Sequence, residues 1–285
     1  MQSEEPCRER SRSLLFTRGR ALRRFKAKTL SPVELMTATI TRAEAAKKKI
    51  NCLAYTHFYE AMDGAKKAEA KYAKGASTGA LEGLAIGIKD ESYIKGKRTS
   101  GGSLIMKDCI ADHASPMNER IIKAGGIVPA RTATPEFSCA GYTWSKLWGV
   151  TRNPWNPKFT PGRSSGGTAA SLASGTSTIA TGSDIGGSIR IPASTCGLVG
   201  YKPPYGRNPD DPPFNLGWTG EVLEAGLTYL RHLFGASLSR LLKRHGKDMT
   251  TYARAFAKEG QSSKAMSYET AQGQWFRDAV SGPKL

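Results

Sequence analysis

Residues 161–190, PGRSSGGTAASLASGTSTIATGSDIGGSIR, hold two glycine-serine turns separated by segments suited to a helix and a strand. The first turn spans Gly162 to Gly167, and a small-residue helical run, Thr168 to Ser174, follows it and stops at Gly175. A β-branched strand, Thr176 to Ala180, then leads to the second turn, Asp184-Ile185-Gly186-Gly187-Ser188-Ile189-Arg190. Glycine has no Cβ and reaches φ > 0, so such turns let backbone N–H groups and a hydroxyl approach a ligand closely. That arrangement suits nucleophilic catalysis with an oxyanion hole. A flexible Gly/Ser linker would fill its spacers with more glycine and serine, and these spacers carry helix- and strand-forming residues instead.

The chain has 285 residues, enough for one large or two ordinary domains. No apolar run approaches the ~18–20 residues that span a bilayer, so the reading is a soluble protein without a membrane span. Cys7, Cys52, Cys109, Cys139 and Cys196 form no C-x-x-C pair. This argues against a zinc site or a disulfide framework and for reduced thiols in a cytoplasmic compartment. His57, His113, His232 and His245 form no H-E-x-x-H pattern, and neither a metal nor a cofactor is expected. The formal net charge of +18 favours anionic partners in principle. It is spread over both ends without a recognition motif, so solvated surface is the reading and no nucleic acid is expected.

Residues 1–28 hold nine basic and three acidic side chains and read as a basic N-terminal arm, frayed or helical. Glu4, Glu5 and Glu9 argue against an organellar transit peptide. Ser31, Pro32 and Glu34 form a capping box that opens a helix, with Leu30 and Leu35 as its staple. Its face is expected along Leu35, Ala38, Arg42, Ala46 and Ile50. A second helix is expected from Phe58 to Lys74, ending at Gly75. The strand Leu84 to Asp90 alternates Leu84, Ile86 and Ile88 with Ala85, Gly87 and Lys89, leaving a small face beside one ammonium group. Met117 to Ala124 reads as a short helix and Ile127 to Ala130 as a strand. The Trp-, Asn- and Pro-rich run from Tyr142 to Phe159 is an extended loop, with Trp144, Trp148 and Trp155 packing it or lining a substrate mouth. Beyond Trp218, Leu223, Leu227, Leu230, Phe234, Leu238 and Leu241 recur at helical spacing with a basic end, Arg240, Lys243 and Arg244.

With Lys89, Ser164 and Ser188 in view, the chain resembles the amidase signature family of serine hydrolases. GLAIGIKD (Gly83 to Asp90), PGRSSGGTAA (Pro161 to Ala170), GSDIGGSIRIP (Gly182 to Pro192) and CGLVGYKP (Cys196 to Pro203) carry the likeness, in order and register. The resemblance covers about residues 25–216 and implies an α/β fold, a mixed twisted sheet covered by helices on both faces. It implies a Ser–cis-Ser–Lys triad, with Ser188 as nucleophile, Ser164 as bridging serine after an unusual cis peptide, and Lys89 as general base. It further implies an oxyanion hole from the backbone N–H groups of Ile185, Gly186, Gly187 and Ser188. Residue chemistry agrees: desolvation could depress the lysine's pKa, and Ser164 could relay the Ser188 proton to it. Ser165 is a supporting donor and Asp184 a turn-shaping acceptor.

Two departures stand out. Arg163 occupies a position where the family usually has glycine, which would strain the turn if φ > 0 is needed there. After Leu216 the chain passes directly into residues 217–258, a helical segment resembling something much later in the family, followed by a weakly patterned tail, 259–285. The expectation is a core, residues 29–216, that is incomplete after residue 216 through an internal deletion or truncation. The implied activity is cleavage of a small carboxamide through an acyl-enzyme. Alternatives are a glutaminase resembling the A-type subunit of a tRNA-dependent amidotransferase, or a catalytically inactive remnant. A small amide is the expected partner, and a homo-oligomer is one option left open.

Overall fold

The computed structural model describes residues 18–204, 207, 208, 235 and 237–261. The basic arm enters it as helix α1, Arg18–Lys26, which drives Ala21 and Phe25 into the core and gathers Arg23, Arg24 and Lys26 at its C-terminal end. Helix α2, Pro32–Ile50, opens with the expected capping box: Glu34 N–H donates to Ser31 Oγ at 3.0 Å, and Ser31 N–H donates to the Glu34 carboxylate at 2.8 Å. Leu30 and Leu35 meet in one apolar cluster with Phe25.

The buried stripe of α2 is rotated from the expected one, running through Leu35, Met36, Thr39, Ala43 and Ile50. The helix lies over two separate clusters. Leu35 packs with Phe25 and Ile86, while Met36 packs with Ala61 and Ala65 of helix α3, Phe58–Ala73. Thr39 is tolerated in that stripe because its hydroxyl donates to the Leu35 carbonyl at 2.9 Å. Helix α3 ends at Ala73 and is capped by Lys74, just before Gly75, one residue short of the expected end.

The sheet has the order β1-β3-β2-β6. Strands β1 (Leu53–Thr56) and β3 (Ile127–Thr132) pair antiparallel; β2 (Ala85–Lys89) pairs parallel with β3 and with β6 (Ile179–Ala180). The parallel β2–β3 step needs a crossover, supplied in part by helix α4, Pro116–Lys123. One face of β2 is sealed by Phe25, Leu35, Tyr72, Leu84, Ile86 and Ile88. Helix α5, Gly166–Ala173, covers the other face, where Thr168 Oγ1 lies 2.7 Å from Thr132 Oγ1. Helices therefore cover both faces of a mixed sheet, as the resemblance implied.

Strand β6 is shorter than expected. Thr176 turns inward to satisfy the end of α5, its N–H and hydroxyl both donating to the Ser171 carbonyl at 2.8 and 3.0 Å, so pairing starts only at Ile179. Two short strands, β4 (Trp144–Ser145) and β5 (Gly149–Val150), form a separate hairpin in the aromatic loop. Trp148 packs edge-on against Tyr55, and Trp144 packs against Tyr252.

Helix α6, Arg190–Thr195, follows the second glycine turn. Much of the leucine-rich run after Trp218 lies outside the described residues. Its described part forms helices α7, Ser237–His245, and α8, Thr251–Gln261. Leu238, Met249, Ala253 and Ala257 pack against Phe137 and Cys139. The buried Glu136 carboxylate accepts from Thr250 N–H and Thr250 Oγ1, each at 2.7 Å, bolting this pair of helices to the turn Glu136–Ser138. Among the described residues, no helix is long and apolar enough to cross a membrane.

Candidate active site

Strand β2 delivers Lys89 at its C-terminal end, where the side chain is 1% exposed. Its Nζ makes three polar contacts: Ser164 Oγ at 2.9 Å, Ser183 Oγ at 2.8 Å and Glu91 Oε2 at 2.9 Å. Burial pushes the Lys89 ammonium below its ordinary pKa, against the pull of the nearby Glu91 carboxylate. Burial alone would raise Glu91, yet the Lys89 charge and the hydroxyls of Ser138 and Ser183 bring its carboxyl below the usual glutamate value.

Asp90, the next residue, points away from this cluster. Its carboxylate accepts from Ser100 N–H at 3.1 Å and from the Ser100 hydroxyl, and lies 3.8 Å from the buried Arg131 guanidinium. Arg131 in turn donates to the carbonyls of Ile88, Lys89, Ser92 and Arg98. Burial raises Asp90 and Arg131 opposes the rise. This pair braces the backbone that carries Lys89.

Ser164 and Ser165 sit just before α5. The helix start lies so close to β3 that a Cβ on Gly167 would fall 2.2 Å from the Ala133 carbonyl oxygen. Arg163 does adopt the left-handed backbone, φ 42°, that its substitution for glycine put at issue, an arrangement that costs on the order of 1–2 kcal/mol. The turn is held regardless: Arg163 N–H donates to the Gly141 carbonyl at 2.8 Å, and Thr143 Oγ1 donates to the Arg163 carbonyl at 2.8 Å.

The two glycine turns touch through Ser165, whose hydroxyl donates to the Ser183 carbonyl at 3.2 Å. Asp184 shapes the second turn. It accepts from the N–H groups of Gly187 at 2.7 Å and of Ile189 and Arg190 at 3.1 Å, and its two oxygens take a forked contact from the Arg190 guanidinium, each 2.9 Å long. Burial would raise the Asp184 carboxyl, but Arg190 and these N–H groups hold it at about 2. The Gly187 N–H is therefore already engaged. The N–H groups of Ile185, Gly186 and Ser188 have no acceptor among the described residues. Ser188 is half-buried, and its hydroxyl bonds neither Ser164 nor any other described residue.

Of the residues singled out in the sequence, Lys89 and Ser164 are in direct contact, Ser165 bonds Ser183, Asp184 accepts within the second turn, and Ser188 bonds neither Lys89 nor Ser164. Glu91, Ser138 and Ser183 were not foreseen. Ser183 adjoins Asp184 in the quoted motif, and Glu91 lies two residues beyond Lys89; each was a readable polar neighbour.

The Amidase family model matches residues 34–218, over half of the chain. The protein belongs to the amidase signature family. Its curated relatives include the A-type subunit of the glutamyl-tRNA(Gln) amidotransferase of Picosynechococcus sp., 41% identical over 180 residues, a match covering 63% of this chain and 37% of that protein. Among solved structures, a bacterial aryl acylamidase of the amidase signature family is 31% identical with a TM-score of 0.59, covering 62% of this chain and 37% of the other. An amidase crystal structure at 22% identity and TM-score 0.79 covers 93% of this chain and 79% of its own, and shows the shared fold. The chain therefore spans little more than a third of the curated relative's length.

Proposed function

We propose that this chain hydrolyses the C–N bond of a small carboxamide through a serine acyl-enzyme. The observation that carries this reading is the buried 2.9 Å contact between Lys89 Nζ and Ser164 Oγ. In this reading Ser188 Oγ attacks the amide carbonyl carbon while its proton passes to Ser164, and Ser164 passes its own proton to the neutral Lys89 amine. The resulting oxyanion accepts hydrogen bonds from the N–H groups of Ile185, Gly186 and Ser188. Collapse breaks the C–N bond, the proton returns through Ser164 to the leaving amine, and water then cleaves the Ser188 ester. Catalytic hydrogen bonds are often open before substrate binds, which accommodates the unengaged Ser188 hydroxyl. Burial supports the base role of Lys89, because a desolvated lysine is more easily neutral.

A second reading draws on the curated relatives, whose names describe one subunit of a glutamyl-tRNA(Gln) amidotransferase. There the same acyl-enzyme chemistry would release ammonia from glutamine alongside partner subunits. One assay separates the readings: amine release from an anilide and ammonia release from L-glutamine, each with the purified chain alone and with the other amidotransferase subunits present. Anilide cleavage by the chain alone is the expected result. Glutamine cleavage only with those subunits favours the second reading. No product in any arm from folded protein overturns both and leaves a non-catalytic remnant.

A further inference from the structure

Glu91 is a charged group at the heart of the site to which the reaction above gives no task. The chain folds it back onto the lysine: Glu91 N–H donates to the Lys89 carbonyl at 2.8 Å, a three-residue turn at the end of β2. Its Oε2 then sits 2.9 Å from Lys89 Nζ and accepts from Ser138 Oγ at 2.5 Å. Ser138 is reached through two successive non-glycine residues in left-handed backbone, Phe137 (φ 52°) and Ser138 (φ 57°). Strain of this kind persists where the surroundings over-determine it. Here Glu136 supplies the anchor, its carboxylate on Thr250 and its N–H donating to Tyr252 Oη at 2.7 Å.

We propose that Glu91 is a positioning residue for the base: its carboxylate aims the Lys89 amine at Ser164 and is the counter-ion of the ammonium that forms when the base takes its proton. This rests on the reading of Lys89 as general base. An ammonium has three N–H bonds, and Nζ has three acceptors around it, Glu91, Ser183 and Ser164. A neutral amine has two N–H bonds and one lone pair. Glu91, an anion, and Ser183, whose hydroxyl can accept, hold the two hydrogens, so the lone pair is directed at Ser164. When the proton arrives along that line, the new positive charge appears beside a carboxylate 19% exposed to solvent.

The other charged and titratable groups around the pair are Asp184 and Cys139, which face Lys89, and Arg131, which acts on Glu91 through space. Asp90 is turned away and occupied by Ser100 and Arg131. Glu91 is thus the carboxylate in direct contact with Nζ. Removing its charge makes Lys89 easier to deprotonate, so the acidic limb of the rate profile moves to lower pH. It also strips the counter-ion from the transition state, so the plateau falls.

The test is the second-order rate at which a fluorophosphonate modifies Ser188 between pH 5 and 10, with melting temperature recorded for each variant. Glu91→Gln is expected to shift the acidic limb down by about one unit or more and to lower the plateau on the order of 10²-fold. Glu91→Asp, which keeps the charge on a shorter arm, is expected to move the limb part of the way; it carries the test if Glu91→Gln does not fold. A purely structural role would lower the rate with the limb unmoved in both variants, and that outcome overturns the proposal. Wild-type protein that reacts at Ser188 with no acidic limb would instead remove Lys89 from the base role, which is a separate failure.

Discussion

Lys89→Ala is expected to lower the proposed amidase rate on the order of 10³-fold, the scale for loss of a positioned general base. The same substitution reaches the fold. Glu91 keeps Ser138 but loses Lys89 Nζ 2.9 Å away, and breaking a buried pair from one side costs on the order of 3 kcal/mol. The pH dependence identifies the cause. In the wild type the Glu91 carboxyl lies below the ordinary 4.5, so the pair contributes stability that is present above that value and lost as pH falls through the folded one. In the variant, burial without the ammonium raises the Glu91 carboxyl. Its neutral form then stabilises the fold at low pH, and that contribution is lost as pH rises through the raised value. Melting temperatures at pH 5 and pH 8 should therefore show the variant gaining on the wild type as the solution is acidified. A near-normal rate would remove Lys89 from the chemistry, and a pH-independent stability difference would remove the charge as its cause.

Gly167→Ala is expected to be the most damaging single methyl in the core of the site. The added carbon would stand 2.2 Å from the Ala133 carbonyl oxygen and 2.7 Å from its nitrogen, and both are backbone atoms of the segment leaving β3. No rotamer change can relieve the clash, so α5 must move off the sheet. Overpacking of this kind costs about 3 kcal/mol, a Tm drop of roughly 10 °C for a chain of this size. Because Ser164 lies two residues before the start of α5, its contact with Lys89 should lengthen and the rate should fall with stability. Thermal melting with a parallel rate measurement checks this; an unchanged melt would mean that α5 and β3 are less closely packed than these distances require.

Much of the local architecture is legible in the sequence. The capping box at Ser31, the stop at Gly75 and the strand ending at Lys89 are written in short-range chemistry, because each depends on residues within a turn of one another. The approach of Lys89 to Ser164 came from the family likeness, since no periodicity links positions so far apart. What escaped notice depends on distant partners. The buried stripe of α2 is set by two clusters that the helix bridges. Strand β6 loses its first residues because Thr176 is drawn to the end of α5. Glu91 gains its partners only through the turn after β2 and the left-handed pair Phe137–Ser138, which no local pattern signals. The substitution at Arg163 illustrates the converse: the sequence flagged a positive-φ problem, and the backbone carries it, braced by Gly141 and Thr143.

All of the chemistry above depends on Ser188 Oγ being the atom that reacts. Folded wild-type protein incubated with a fluorophosphonate, digested and mapped by mass spectrometry should carry one phosphonyl group per chain, on Ser188, and Ser188→Ala should carry none while melting at the same temperature. An adduct on another residue, or none on folded protein, would contradict it.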